Sequence, residues 1–237
     1  MGDLGNLQQV KSGVTVSGDL IGHVRKIYEM ALQDILSGKV VRHGINGYSH
    51  HALPAYIVTV AAVEAFMNEA FLSFVAQQFL FRDASIWNLP RDWLEKVEIS
   101  KKVILIPQLL FGESLSRDTQ PYQDFAMVIK VRNDLVHYKM KGEPPKYLQD
   151  LDQRGISLRA NTSEIDADYL WPHKLSCSEG IRWAHNTACS TVTEIVSYVN
   201  RTNYPLLPIA ENFAPITDAY VLSWFQKHGI DPDSNQP

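Results

Sequence analysis

Cysteine is scarce in this chain of 237 residues, occurring only as Cys177 and Cys189. Two isolated thiols support neither a disulfide framework nor a structural zinc centre. Both are expected on a helix as small buried side chains, and their scarcity points to a reducing compartment. Long apolar runs are also missing. The best candidate, Leu53 to Phe81, is interrupted by Glu64, Asn68 and Glu69, so no uninterrupted stretch of about 18 apolar residues exists to span a bilayer. Met1 to Val16 is polar and lacks the basic-then-apolar order of a secretory signal. The expected location is therefore the cytoplasm, with no membrane partner. Positive charge is not in excess, the formal net charge being −4. Broad phosphate-neutralising surfaces need a basic chain, so any contact with nucleic acid must be local.

Several catalytic signatures are absent as well. There is no G-x-x-x-x-G-K-[ST] or G-x-G-x-x-G loop to cradle phosphate, no His-Glu-x-x-His pair and no G-x-S-x-G elbow. ATPase, dehydrogenase, zinc-protease and serine-hydrolase readings lose their support. His43, His50 and His51 cluster in sequence, but the adjacent pair in this loop lacks a third ligand at a recognisable spacing, so no metal site and no cofactor are assigned. Trp87, Trp93, Trp171, Trp183 and Trp224 are too scattered for a base-stacking platform and suit core or interface positions.

What remains is a globular composition, 45% hydrophobic and 20% charged, large enough for a core of its own. Apolar residues recur at helical spacing from Leu20 to Leu36, where Ser37-Gly38 offers a stop. Lys39 to His51 reads as a loop, and Val40-Val41 is too short for a strand. A long helix is predicted from Pro54 to about Arg82, apolar nearly all round, which belongs at the centre of a bundle. Pro90 opens a predicted helix over Arg91 to Ile106, which Pro107 limits or kinks, with a further turn over Leu109 to Phe111. Pro121 begins another helix, Tyr122 to about Met140. Ser176 with Glu179 forms a capping-box pattern before a helix from Cys177 to Asn200. Tyr204 to Pro215 reads as a linker, and a short helix follows from Thr217 to His228. The domain is placed at residues 1–204, with an insertion over about 141–175 and a linker with a C-terminal extension over 205–237.

The chemistry concentrates on Arg132-Asn133-Asp134-Leu135-Val136-His137. At about 100° per residue, Val128, Val131, Leu135 and Tyr138 fall on one side of their helix. Lys130, Asn133, His137 and Lys141 form the opposite, polar stripe. Arg132 lies at the edge of the apolar face beside Phe125, Ile129 and Val136, where a guanidinium needs an acidic partner. Glu64, trapped on the apolar helix, is the natural candidate, and Asn68 extends the polar cluster one turn further.

This segment resembles the arginine, four-to-six residues, histidine motif of the HEPN superfamily (higher eukaryotes and prokaryotes nucleotide-binding), in which a polar residue commonly follows the arginine as Asn133 does. Ala62-Val63-Glu64-Ala65-Phe66-Met67-Asn68 is similar to the helix that supplies the family's acidic residue. The resemblance covers Leu53 to Tyr138 and, more loosely, the last large helix. It implies an all-α antiparallel helical bundle, a homodimer, and metal-independent RNA cleavage through the 2′-hydroxyl. His137 would then act as general acid or base, Arg132 as phosphate and transition-state stabiliser, Asn133 as orienter and Glu64 as partner of Arg132. Lys130, Lys141 and Asn68 would contact substrate. A stand-alone member implies a toxin held by a protein antitoxin or regulator, or an antiphage effector. The competing expectation is a non-catalytic dimeric binding module. The insertion follows the motif helix directly and is placed to cover or gate the site.

Overall fold

The structure, a computed structural model, describes residues 15–37, 42–43, 46–47, 49–81, 96–138, 143–158, 171–200 and 208–229. The architecture is an all-α bundle in the order α1 (Val16–Leu36), α2 (Ala52–Phe81), α3 (Ile99–Phe111), α4 (Gln120–Val136), α5 (Tyr147–Gln153), α6 (Trp171–Lys174), α7 (Ser178–Asn200) and α8 (Asp218–Lys227). A 3-10 turn, Pro208–Asn212, precedes α8. Between α1 and α2, where only loop was expected, β1 (Arg42–His43) and β2 (Asn46–Gly47) pair antiparallel as a minimal ladder.

α1 starts one turn earlier than its apolar periodicity suggested because Thr15 caps it. The Thr15 backbone is extended and its Oγ1 accepts from Gly18 N at 3.2 Å. Val24, Tyr28, Ala31 and Leu32 form its buried stripe. The helix stops at Ser37, as expected, with Ser37 Oγ donating to Asp34 O at 3.0 Å.

α2 is the central helix. Tyr56, Val60, Val63, Phe66 and Met67 are all essentially inaccessible, and α1, α3, α4 and α7 pack around it. The span Ala52–Ser73 is long and apolar enough on average to cross a membrane, yet half of that window is buried inside the protein, as in the core helix of a bundle. Three of its polar residues are tethers. Glu64 and Asn68 reach Lys102 on α3, and the Glu69 carboxylate accepts from Ser17 N and Ser17 Oγ at the start of α1. Placing a carboxylate at a helix N-terminus satisfies free amides and favours the helix dipole.

α3 begins at Ile99 and runs through Pro107 to Phe111, ending at Gly112 in the left-handed conformation (φ 74°). Pro107 does not limit it. An interior proline costs about 3 kcal/mol, which the joint burial of Ile106, Pro107 and Leu110 offsets. Residues 82–95, where the earlier start was expected, lie outside the described residues.

The register of α7 also differs from expectation. Ser176 Oγ donates to Pro172 O, and Ser176 O accepts from Ser49 N at 2.7 Å, so Ser176 is committed elsewhere. The helix begins at Ser178, and Cys177 takes the capping position, with Sγ accepting from Gly180 N at 3.4 Å. Both cysteines are buried as predicted.

The described part of the stretch expected as a linker is moored. Phe213 and Ile216 are buried, and the Phe213 ring packs edge-on against Phe66 at 5.6 Å. Asn186 brackets Ile216 with both ends of its amide, at 2.7 and 3.0 Å. Arg182 donates to Ile216 O and pairs with Asp218. α8 then inserts Val221, Trp224 and Phe225 into a cluster with Val24, Tyr28 and Leu32 of α1. The described part of the 141–175 segment is likewise integral, since Tyr147, Leu148 and Leu151 join the main core with Phe125 and Val131.

Helix α7 approaches α2 at Gly180. A Cβ there would collide with the Tyr56 hydroxyl and stand 3.1 Å from Leu175 O. Tyr56 is wholly buried and donates to the same Leu175 carbonyl at 3.3 Å, so it has nowhere to move. Gly180→Ala should therefore destabilise the protein by about 1–3 kcal/mol, despite the better helix propensity of alanine. Denaturant titration checks this, and a gain in stability would contradict the close approach.

Candidate functional site

The motif lies at the C-terminal end of α4. The helix starts at Gln120, with Pro121 in its first turn as expected, and its apolar face is Phe125, Val128, Ile129 and Val131. It ends at Val136 rather than continuing to Met140. His137 is the capping residue, with φ −103° and ψ 24°, and its N–H donates to Asn133 O at 2.9 Å. Asn133 and His137 thus share the exposed end of the helix as predicted, but His137 leaves on a turn. Lys141 lies outside the described residues.

Two of the predicted site residues belong to a different cluster. Lys102 Nζ lies 2.7 Å from Glu64 Oε1 and 3.2 Å from Asn68 Oδ1. Its side chain is 1% exposed, whereas that of Glu64 is 37% exposed. An ammonium inside the bundle must find charge and hydrogen-bond acceptors, and α2 offers both one turn apart. Glu64 is therefore the partner of Lys102, and Arg132 makes no ion pair or hydrogen bond with a described residue. Arg132 is only half-buried, so the acidic partner that full burial would demand is not required of its surroundings. The inward lysine carried a signal, since Lys102 shares a helical stripe with Ile99 and Ile106 while Lys101 points outward.

The segment after the motif packs along α4. Lys130 Nζ sits 5.2 Å from the centre of the Tyr147 ring, and burial with the nearby Asp134 carboxylate raises the Tyr147 phenol above its ordinary range. Arg154 grips Asp124 with two hydrogen bonds, at 2.9 and 3.2 Å. This contact engages Lys130 and leaves Asn133 and His137 exposed. Val136 and Tyr138 beside them are 51% and 36% exposed, although the Tyr138 ring meets Trp171 edge-on.

A second histidine, not singled out in the sequence, is buried in α7. His185 Nδ1 lies 3.3 Å from Asn186 Oδ1 and 3.6 Å from Cys189 Sγ, and no described residue hydrogen-bonds Nε2. Burial lowers its pKa to about 4 and raises the Cys189 thiol to about 12. A neutral imidazole beside a protonated thiol is no nucleophilic pair, because the thiolate is the reactive form. The pair is a core feature.

Compared with protein-family models, with curated proteins and with solved structures, the chain matches none.

Three outcomes follow from these contacts. Glu64→Leu strands the buried Lys102 ammonium and should cost roughly 2–4 kcal/mol, reduced from the fully buried case by the partial exposure of Glu64. Arg132→Ala should cost under about 1 kcal/mol, and Lys102→Met should recover most of the loss caused by Glu64→Leu. Equal losses for Glu64→Leu and Arg132→Ala, measured in urea, would restore the Glu64–Arg132 pairing.

His185 predicts a pH slope. In the unfolded chain the imidazole binds a proton below about 6.5, whereas the fold keeps it neutral to about 4. Its contribution, on the order of 3 kcal/mol, is complete above pH 6.5 and is lost as pH falls toward 4. The stability difference between pH 7 and pH 5 should shrink in His185→Gln; an unchanged difference would refute the buried neutral imidazole.

Proposed function

We propose that this protein is a metal-independent endoribonuclease acting as a homodimer, with Arg132, Asn133 and His137 as its site. The observation that carries the proposal is the electrostatic state of Arg132. Glu64 is engaged by Lys102, so no described acid neutralises the guanidinium, which stands one residue from an exposed asparagine and five from an exposed histidine. A free guanidinium at the end of a helix in an otherwise acidic chain suits a phosphate, whose oxygens it meets as a planar fork.

In this proposal His137 takes the proton of a ribose 2′-hydroxyl. The 2′-oxygen then bonds to the adjacent phosphorus, and Arg132 stabilises the charge gathering on the phosphorane oxygens. The bond to the 5′-oxygen breaks as that oxygen gains a proton, leaving a 2′,3′-cyclic phosphate and a 5′-hydroxyl. Asn133 orients the phosphate or the imidazole. Positions five apart on a helix diverge by about 140°, so one α4 presents Arg132 and His137 to different sides. Two copies about a two-fold axis can supply Arg132 from one protomer and His137 from the other. The exposed Val136 supports this arrangement, because it lies between them and gains from burial.

One observation favours a second reading, a non-catalytic dimeric module that binds a phosphate-bearing partner. Glu64, assigned to the site by resemblance, is taken by Lys102, and no described side chain orients His137.

Wild type, Arg132→Ala and His137→Ala should be incubated with mixed structured RNAs in EDTA and the ends analysed. Wild type alone should cleave, leaving 2′,3′-cyclic phosphates. Mixing the two inactive variants should restore about a quarter of the activity, since half the dimers are mixed and each carries one intact site of two. Cleavage by wild type without recovery on mixing would place both residues in one protomer. Binding of RNA with no cleavage would favour the second reading.

A further inference from the structure

Three potential metal ligands converge where α1 ends and α2 begins. Asp34 occupies the last turn of α1, and His50 and His51 form the turn that leads into Ala52. The ligating atoms of all three lie within 4.8 Å of one another. His51 Nε2 is 3.4 Å from Asp34 Oδ2. The two imidazole centres are 4.3 Å apart with planes inclined by 46°, so the rings are fanned rather than stacked. A tetrahedral ion with bonds of about 2.0–2.2 Å spaces its donors roughly 3.3–3.5 Å apart. The Asp34–His51 edge has that length already, and His50 is within about 1.5 Å of it.

The backbone that carries the histidines is fixed from both sides. Ser49 and Ala52 are buried, Ser49 N donates to Ser176 O at 2.7 Å, Ala52 N to Ser49 O at 3.1 Å, and His51 N to Ser49 Oγ at 3.3 Å. His50 is exposed and the other two are partly so, which leaves a route for an ion from solvent. A simple ion pair accounts for His51 and Asp34. It leaves unexplained why the neighbouring imidazole, in a turn that could point it elsewhere, comes to the same place.

We propose that Asp34, His50 and His51 bind a divalent transition-metal ion of the zinc class, with a fourth position open to water. Two imidazoles and one carboxylate suit zinc, cobalt or nickel, whereas magnesium and calcium demand oxygen ligands. The bound ion ties the end of α1 to the start of α2. The site lies on elements other than α4, and the proposal does not depend on the ribonuclease reading.

The test uses the full chain without an affinity tag, stripped with EDTA, dialysed, and titrated with Zn²⁺ by calorimetry and with Co²⁺ by visible absorption. One equivalent per chain should bind at micromolar concentration, and Co²⁺ should give the intense band of a tetrahedral centre. His50→Ala, His51→Ala and Asp34→Asn should each weaken binding tenfold or more, while His137→Ala should bind as wild type. Metal-free melting curves check folding; should Asp34→Asn fail to fold, the exposed His50 carries the comparison. No stoichiometric binding would overturn the proposal. So would wild-type affinity in His50→Ala, which would leave only a His51–Asp34 ion pair, or equal affinity in all variants, which would place the ion elsewhere.

Discussion

A helix that is apolar on nearly every face cannot be left at a surface, and α2 is such a helix. Covering it takes α1, α3, α4 and α7 together, and that requirement arranges the bundle. Three of the polar residues on α2 are answered by another helix. Glu69 meets the first turn of α1, and Glu64 with Asn68 meets Lys102 of α3. These contacts act less as net stabilisers than as registry marks, because apolar packing alone would let neighbouring helices slide.

The same requirement determines what α4 can offer. Its inner face is spent on the core through Phe125, Val128 and Val131, and its flank is taken by α5 through Lys130, Asp124 and Asp134. The proposed chemistry is confined to the end of the helix, where Arg132 is half-buried and Asn133 and His137 are exposed. What α4 leaves available is a small surface whose character comes from what surrounding residues leave unused. Had Glu64 turned to Arg132, the buried Lys102 ammonium would be left with the Asn68 amide alone.

Much of this was legible in the sequence because it is written in helical periodicity. The long apolar run of α2, the stop of α1 at Ser37, Pro121 at the start of α4 and the buried cysteines all follow from local rules. The shared polar face of Glu64 and Asn68 was legible too, but its partner was not. Two adjacent lysines, Lys101 and Lys102, look alike until the stripe through Ile99 and Ile106 identifies the inward one. Asp34 escaped for a related reason: spacing rules look for ligands near one another in sequence, while Asp34 meets His51 only after α1 and α2 fold against each other. The capping box failed by one residue, because Ser176 is bound by its carbonyl to Ser49 and the Cys177 sulfur took its place. Local signals locate elements; they do not reveal which distant group competes for a side chain.

The mooring of α8 on α1 also has a meaning in time. Tyr220 hydrogen-bonds Glu29 across 191 positions, and Val221, Trp224 and Phe225 close over Val24, Tyr28 and Leu32. At synthesis rates of about 5–20 residues per second, that interval lasts roughly 10–40 s. Throughout it one apolar flank of α1 has emerged without the helix that covers it. Helix α1 is therefore among the last of the described helices to be finished, although it is made long before the helix that covers it, and a nascent chain carries this uncovered apolar surface throughout that interval.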